Sequence, residues 1–264
     1  MELLWDIAGI TAMLMIFGFI VWWKTKPKTD DEDLQDFEKA AGRLLSDLKA
    51  SNFEIAEADR SVGTTPVELK QLTLALKKLD ELAKASKDED QKRYEKALKK
   101  AFKGEVGLAE KLFRTLFESG KSMLANQQAS NSSAQKELAS IARTLGAFSY
   151  ISDTPLSLAA YIEAANLDPE DPDVWAMLGA VWLRLGELEN AERLLHQALN
   201  LKAKLQDGSQ AAEAIDSLGS VYAEKADIEK ACQYWQKARK LYAEAGDKKK
   251  LAVVDELLDK ISCH

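Results

Sequence analysis

The chain has 264 residues, of which 30% are charged, and a net charge of −7. That length allows one or two domains with cores, and the acidic balance gives no footprint for nucleic acid. Five prolines, thirteen glycines and an excess of Ala, Leu, Lys and Glu favour an all-α chain, and no sustained apolar/polar alternation asks for a sheet.

The first element is apolar. No charge occurs from Ile7 to Trp23, and Leu3, Leu4 and Trp5 extend the run past Asp6. As a helix, residues 3–23 would measure about 31 Å, the thickness of a bilayer core. Trp5 at one end and Trp22 and Trp23 at the other suit the headgroup boundary. A signal peptide would need a basic start and a small-residue cleavage site, and this run has Glu2 and Asp6 before it and Trp23-Lys24 after it. Residues 1–24 therefore read as a single transmembrane anchor. Lys24, Lys26 and Lys28 follow it and the short N-terminal side is acidic, so the N-terminus is expected outside and the remainder in the cytoplasm.

Residues 25–33 form a polar linker ending in an acidic run suited to a first helical turn. Residues 34–86 then carry two seams. Leu34, Phe37, Ala41, Leu44 and Leu48 make the first, with steps of three and four. Thr65-Pro66-Val67-Glu68 opens the second with a cap, a first-turn proline and a capping-box glutamate, and Leu69, Leu72, Leu76, Leu79 and Ala83 follow. The two seams pack as an antiparallel hairpin within one chain, or pair between chains and make a homo-oligomer.

From about residue 90 to 246 the chain repeats itself. Trp175-x2-Leu178-Gly179-x2-Trp182 is followed by Ala191-x3-Leu195-x2-Ala198, and Ile215-x2-Leu218-Gly219-x2-Tyr222 by Ala231-x3-Trp235-x2-Ala238. An earlier copy holds Ala142, Leu145, Gly146, Tyr161, Ala164 and Asp168-Pro169, and a weaker one has Tyr94 and Ala97 ahead of Ala109-x3-Phe113. These residues resemble the tetratricopeptide signature. The resemblance implies helix pairs at about 90–133, 137–171, 172–206 and 212–246, and a capping helix within 247–264. Gly179 and Gly219 stand further apart than the usual 34-residue period, which resembles the longer repeats of the kinesin light chain.

In such repeats small residues let paired helices approach and large ones fill the gaps. Gly146, Trp175, Leu178, Gly179, Ala191, Leu218, Gly219, Tyr222, Ala231 and Trp235 are thus expected to pack the repeats. The resemblance also implies a groove lined by the first helix of each pair, with Arg143, Tyr150, Arg184, Asp216, Ser220 and Glu224 on it. That groove would suit an extended or helical peptide carrying both signs of charge. The lysine and asparagine clamp of chaperone-binding relatives is replaced by Ala176, Ala180, Asp216 and Ser220, so capture of a terminal carboxylate is not expected.

No phosphate loop, nucleophile elbow or metal-ligand cluster is present in the sequence; His196 has only Glu192 beside it. Cys232 and Cys263 show no metal or redox spacing and read as reduced thiols. No enzyme activity, cofactor or metal is expected. The layout is similar to that of bacterial envelope-assembly regulators of the lipopolysaccharide-assembly family, without that family's C-terminal cysteine knuckle, and suggests an inner membrane. The expected function is a membrane-anchored adaptor for proteins or peptides. A peptide-responsive regulator and a self-assembling membrane effector are the alternatives.

Overall fold

The computed structural model describes residues 30–51, 66–126, 132–204 and 208–263. Its described residues contain helices and no strand. The anchor residues Trp5, Trp22, Trp23, Lys24, Lys26 and Lys28 lie outside them. Among the described residues no helix is long and apolar enough to cross a membrane.

The chain divides into units at residues 1–36 and 37–264. Of the first unit only the opening turns of α1 (Asp30–Ser51) are described. In the second, α1 continues and buries Phe37, Ala40, Ala41 and Leu44, with the Phe37 ring 5.7 Å from that of Phe102. Ten more helices follow: α2 (Pro66–Ala85), α3 (Asp88–Ala101), α4 (Gly107–Asn126), α5 (Ser132–Ser152), α6 (Thr154–Leu167), α7 (Pro172–Arg184), α8 (Leu188–Lys204), α9 (Gly208–Glu224), α10 (Ile228–Glu244) and α11 (Lys248–Lys260).

Three pairs dominate the packing: α5 with α6, α7 with α8, and α9 with α10. The reason is local. A methyl group placed on Gly146 would sit 2.7 Å from the Tyr161 ring, on Gly179 2.7 Å from the Leu195 side chain, and on Gly219 2.5 Å from the Trp235 ring. Each first helix therefore presents a glycine where its partner inserts a large side chain. Tyr161, Leu195 and Trp235 are all buried as a result. Van der Waals contact at such crossings, repeated along the array, builds one continuous apolar core.

Capping residues set the boundaries. Asp153 accepts from the Leu156 amide at 3.0 Å, Asp171 from that of Asp173 at 2.9 Å, and Asp227 and Asp247 from those of Lys230 and Lys250 at 3.1 Å each. Gly186 and Gly246 take positive φ in the turns after α7 and α10, whereas the corresponding turn after α9 uses Ala226 at φ 58°. An alanine there bears a steric penalty that glycine avoids.

The array closes on α11, which packs against α10 and buries Val254, Leu257 and Leu258. A disulfide between Cys232 on α10 and Cys263 just past α11 holds that cap, with Cα atoms 5.8 Å apart. The expectation of two reduced thiols is corrected by this bond. Helix packing brings together two cysteines that stand 31 residues apart in sequence, and no local spacing announces such a pair.

Candidate functional site: the first-helix face and its resident helix

The first helices α5, α7 and α9 form one face, and helix α2 lies across all three. The leucine seam of α2 explains why. Leu72, Leu76, Leu79 and Ala83 fall on one side at helical spacing and are buried with Ala75, while Leu74 on the opposite side is 37% exposed. α2 also packs on α3.

Polar contacts tie α2 to the face near its start and past its middle. Near its start, the Tyr150 hydroxyl of α5 donates to Glu68, so the glutamate expected in a capping box serves a tertiary contact. Lys70 pairs with Asp173 at the start of α7 at 3.0 Å and lies 3.6 Å from Glu213 of α9. Further along, Lys78 donates to Glu137 of α5 at 3.2 Å. Two buried atoms in this layer have no hydrogen-bond partner: Nε2 of Gln71 and Oε2 of Glu213. A cleft of about 240 Å³ separates part of α2 from α5, lined by Gln71, Leu74, Ser140, Arg143 and Thr144 among others.

The six residues expected on the groove divide into two sets. Arg143 is half-buried and pairs with Asp171 at 2.6 Å. Arg184 donates to the Tyr150 carbonyl and stands over the Tyr150 ring, 4.7 Å from its centroid. Burial and the Glu68 carboxylate hold the Tyr150 phenol well above its usual range, so it stays a donor. Asp216 and Ser220 are buried, as Tyr150 is; at 2% exposed they are not open to a ligand in this arrangement. The indole of Trp235 donates to the Asp216 carbonyl at 3.1 Å, and the Tyr242 hydroxyl lies 3.4 Å from its carboxylate. Burial pushes the Asp216 carboxyl up to about 7, against the pull of the Trp235 and Tyr242 hydrogen bonds. Glu224, near the end of α9, is half-buried.

Asp171, Asp173 and Glu213 form an acidic layer whose cations come from four elements. Lys202, 1% exposed, reaches Asp173 at 3.2 Å, and Lys250 reaches Glu213 at 3.0 Å. Burial works to raise the Asp173 carboxyl, and Lys70 and Lys202 outweigh it, leaving it below the ordinary value. Asp171 goes the other way, raised by burial despite Arg143.

Among the packing residues, Leu178, Gly179, Ala191, Leu218, Gly219, Ala231 and Trp235 are buried. Trp175 is only partly buried, its indole donating to the Pro169 carbonyl at 2.8 Å. Tyr222 donates to Glu192 at 2.5 Å, and Lys225 reaches the same carboxylate at 2.6 Å. Glu192 thus joins α8 to α9, and His196 beside it meets the Tyr234 ring edge-on at 6.3 Å. No group of His, Cys, Asp or Glu with metal-ligand geometry occurs among the described residues.

No protein-family model matches the chain, and a search of curated proteins finds no match. Among solved structures, the N-terminal domain of stress-induced protein-1 from C. elegans is 20% identical and covers 47% of this chain and 97% of its own, at TM-score 0.41. MamA is 19% identical over 70% of this chain and 99% of its own, at TM-score 0.40. BtubC from P. vanneervenii is 17% identical over 83% and 93%, at TM-score 0.44. The α-solenoid assignment rests on the repeated helix pairs and their glycine crossings.

Proposed function

We propose that this protein is a non-catalytic scaffold of tetratricopeptide type that binds protein partners through the face of α5, α7 and α9. One observation carries the reading: that face already holds an amphipathic helix by a leucine seam and by charged contacts from Glu68 and Lys70 near its start and Lys78 past its middle. A surface built in this way recognises helices by shape and charge, and needs no chemistry to act. The apolar run at residues 3–23 adds a membrane anchor to the proposal, with the array on the cytoplasmic face. Fixing the array at a membrane would raise a bound partner's concentration near other membrane components.

The Cys232–Cys263 bond favours a second reading of the topology, with the array in an oxidising compartment, because such bonds are rare in the cytosol. Proximity labelling separates the two, with the labelling enzyme fused after His264 and active only in the cytoplasm. A small labelled set of soluble proteins supports the cytoplasmic scaffold. No labelling despite expression, together with cysteines that stay blocked to alkylation until reductant is added, supports the opposite side. A labelled set that contains only further copies of this chain contradicts the scaffold and favours self-assembly.

A further inference from the structure

The resident helix α2 has the chemistry of a ligand rather than of a repeat. It pairs with no glycine-bearing first helix in the manner of α6, α8 and α10, and it crosses three of them instead. Its hold is incomplete. Gln71 is buried with an unpartnered amide nitrogen, and a cleft remains against α5. α2 is joined to α3 through Ser86 and Lys87, and Asp88 at the joint adopts φ 55°, a left-handed conformation that a non-glycine residue holds only under constraint.

Resting on the scaffold reading, we propose that α2 is a built-in competitor, and that the face it covers docks an amphipathic helix of a partner protein carrying the same pattern. That helix would present a leucine seam, an acid to meet the Tyr150 hydroxyl and basic residues to meet Asp173 and Glu137, at the places where Glu68, Lys70 and Lys78 now stand. Charge complementarity selects it: the face offers carboxylates at two places along the seam and a phenolic donor at a third. α2 leaves by turning about residues 86–88, and its departure frees the buried Gln71 and the side chains of Tyr150 and Glu137 together. Partner affinity is lowered in proportion to the fraction of time α2 stays seated.

The test uses the full chain in lipid nanodiscs and a fluorescein-labelled synthetic peptide of residues 66–85 as the probe. Two forms weaken the resident helix, Leu76→Asp with Leu79→Asp, and the milder Lys70→Ala with Lys78→Ala. Circular dichroism checks that α5–α11 keep their helix content. The proposal expects the milder form to bind the peptide several-fold more tightly than the wild type, and the leucine form at least tenfold. A peptide with both lysines replaced by glutamate should bind neither. Equal affinity for all three proteins, with helix content retained, would overturn it. A wild type that is dimeric by light scattering and becomes monomeric on the leucine substitutions would also overturn it, since a second copy would then be the occupant. Partner labelling in cells that is indifferent to these substitutions counts against displacement of α2 and leaves the scaffold reading standing.

Discussion

The helix pairs after residue 132 meet each other through glycine, whereas α2 meets them through lysine. At the pair crossings a large side chain lies against a bare backbone, and Tyr161, Leu195 and Ala198 are wholly buried. Along α2 the seam leucines Leu72, Leu76 and Leu79 are as deeply buried, but the edges are ion pairs and a cleft against α5. Close packing of glycine against a ring is lost all at once when either side changes. A seam of leucines with charged edges is nearer to an interface between separate molecules, where polar rims set register and partner choice. The comparison teaches that one surface of the first helices is built to stay assembled and the other to be exchanged.

The largest blow falls on the pair side. Trp235→Ala removes a buried indole that fills the Gly219 crossing and caps the Asp216 carbonyl. It should cost about 3–5 kcal/mol, seen as a lowered midpoint in urea. Reduction of Cys232–Cys263 comes next. A loop of 31 residues corresponds to about 3–4 kcal/mol in the chain-entropy account, so dithiothreitol should lower the unfolding temperature of the wild type and leave a Cys232→Ser, Cys263→Ser form unmoved.

Asp216 lies on α9 beneath α10. Its carboxyl is pushed up to about 7 by burial; Glu213 adds to the rise, and Lys250 and the Trp235 and Tyr242 hydrogen bonds oppose it. Between the ordinary aspartate value near 4 and about 7 the folded chain keeps a proton that the unfolded chain has released. This contribution to stability is therefore full below about pH 4, declines as pH rises through that window, and is lost above about 7. Asp171 leans the same way and Asp173 the opposite. Asp216→Asn should flatten the decline and leave the protein more stable than wild type at pH 8, by on the order of 3 kcal/mol. An unchanged pH profile would mean that Asp216 is hydrated in solution.

Smaller effects sharpen the contrast. Ala226→Gly relieves the left-handed turn between α9 and α10 and should raise stability by about 0.5–1 kcal/mol without touching α2. Lys78→Ala removes an ion pair whose Glu137 partner is 62% exposed, and should change global stability by less than about 1 kcal/mol. Its effect belongs in the exposure of α2, read by faster amide exchange there than in α9.

The pair side was legible in the sequence because its rules are positional. Gly146, Gly179 and Gly219 each follow a leucine and stand fifteen or sixteen residues before a large side chain, and the resemblance to the tetratricopeptide signature placed them at crossings. The place of α2 was not legible. Leu69, Leu72, Leu76 and Leu79 specify a helix with one apolar side, and such a side fits a neighbouring hairpin, another chain or the solenoid equally well. The choice among these depends on long-range pairs such as Lys70 with Asp173, which no window of sequence contains. Asp216 and Ser220 were assigned to the correct helix, but the cover supplied by Trp235 and Tyr242 arises from α10 folding back over them. The disulfide escaped for a similar reason: Cys263 reaches Cys232 only after α11 has turned back along α10.

The seat of α2 on the first-helix face is tested most directly by zero-length carbodiimide cross-linking of the full chain, read by mass spectrometry. The account predicts two links within one chain, Lys78 to Glu137 and Lys70 to Asp173, whose charged atoms lie 3.2 and 3.0 Å apart. Links from these lysines only to acids within α2 itself, or only between isotopically distinct copies, would contradict it.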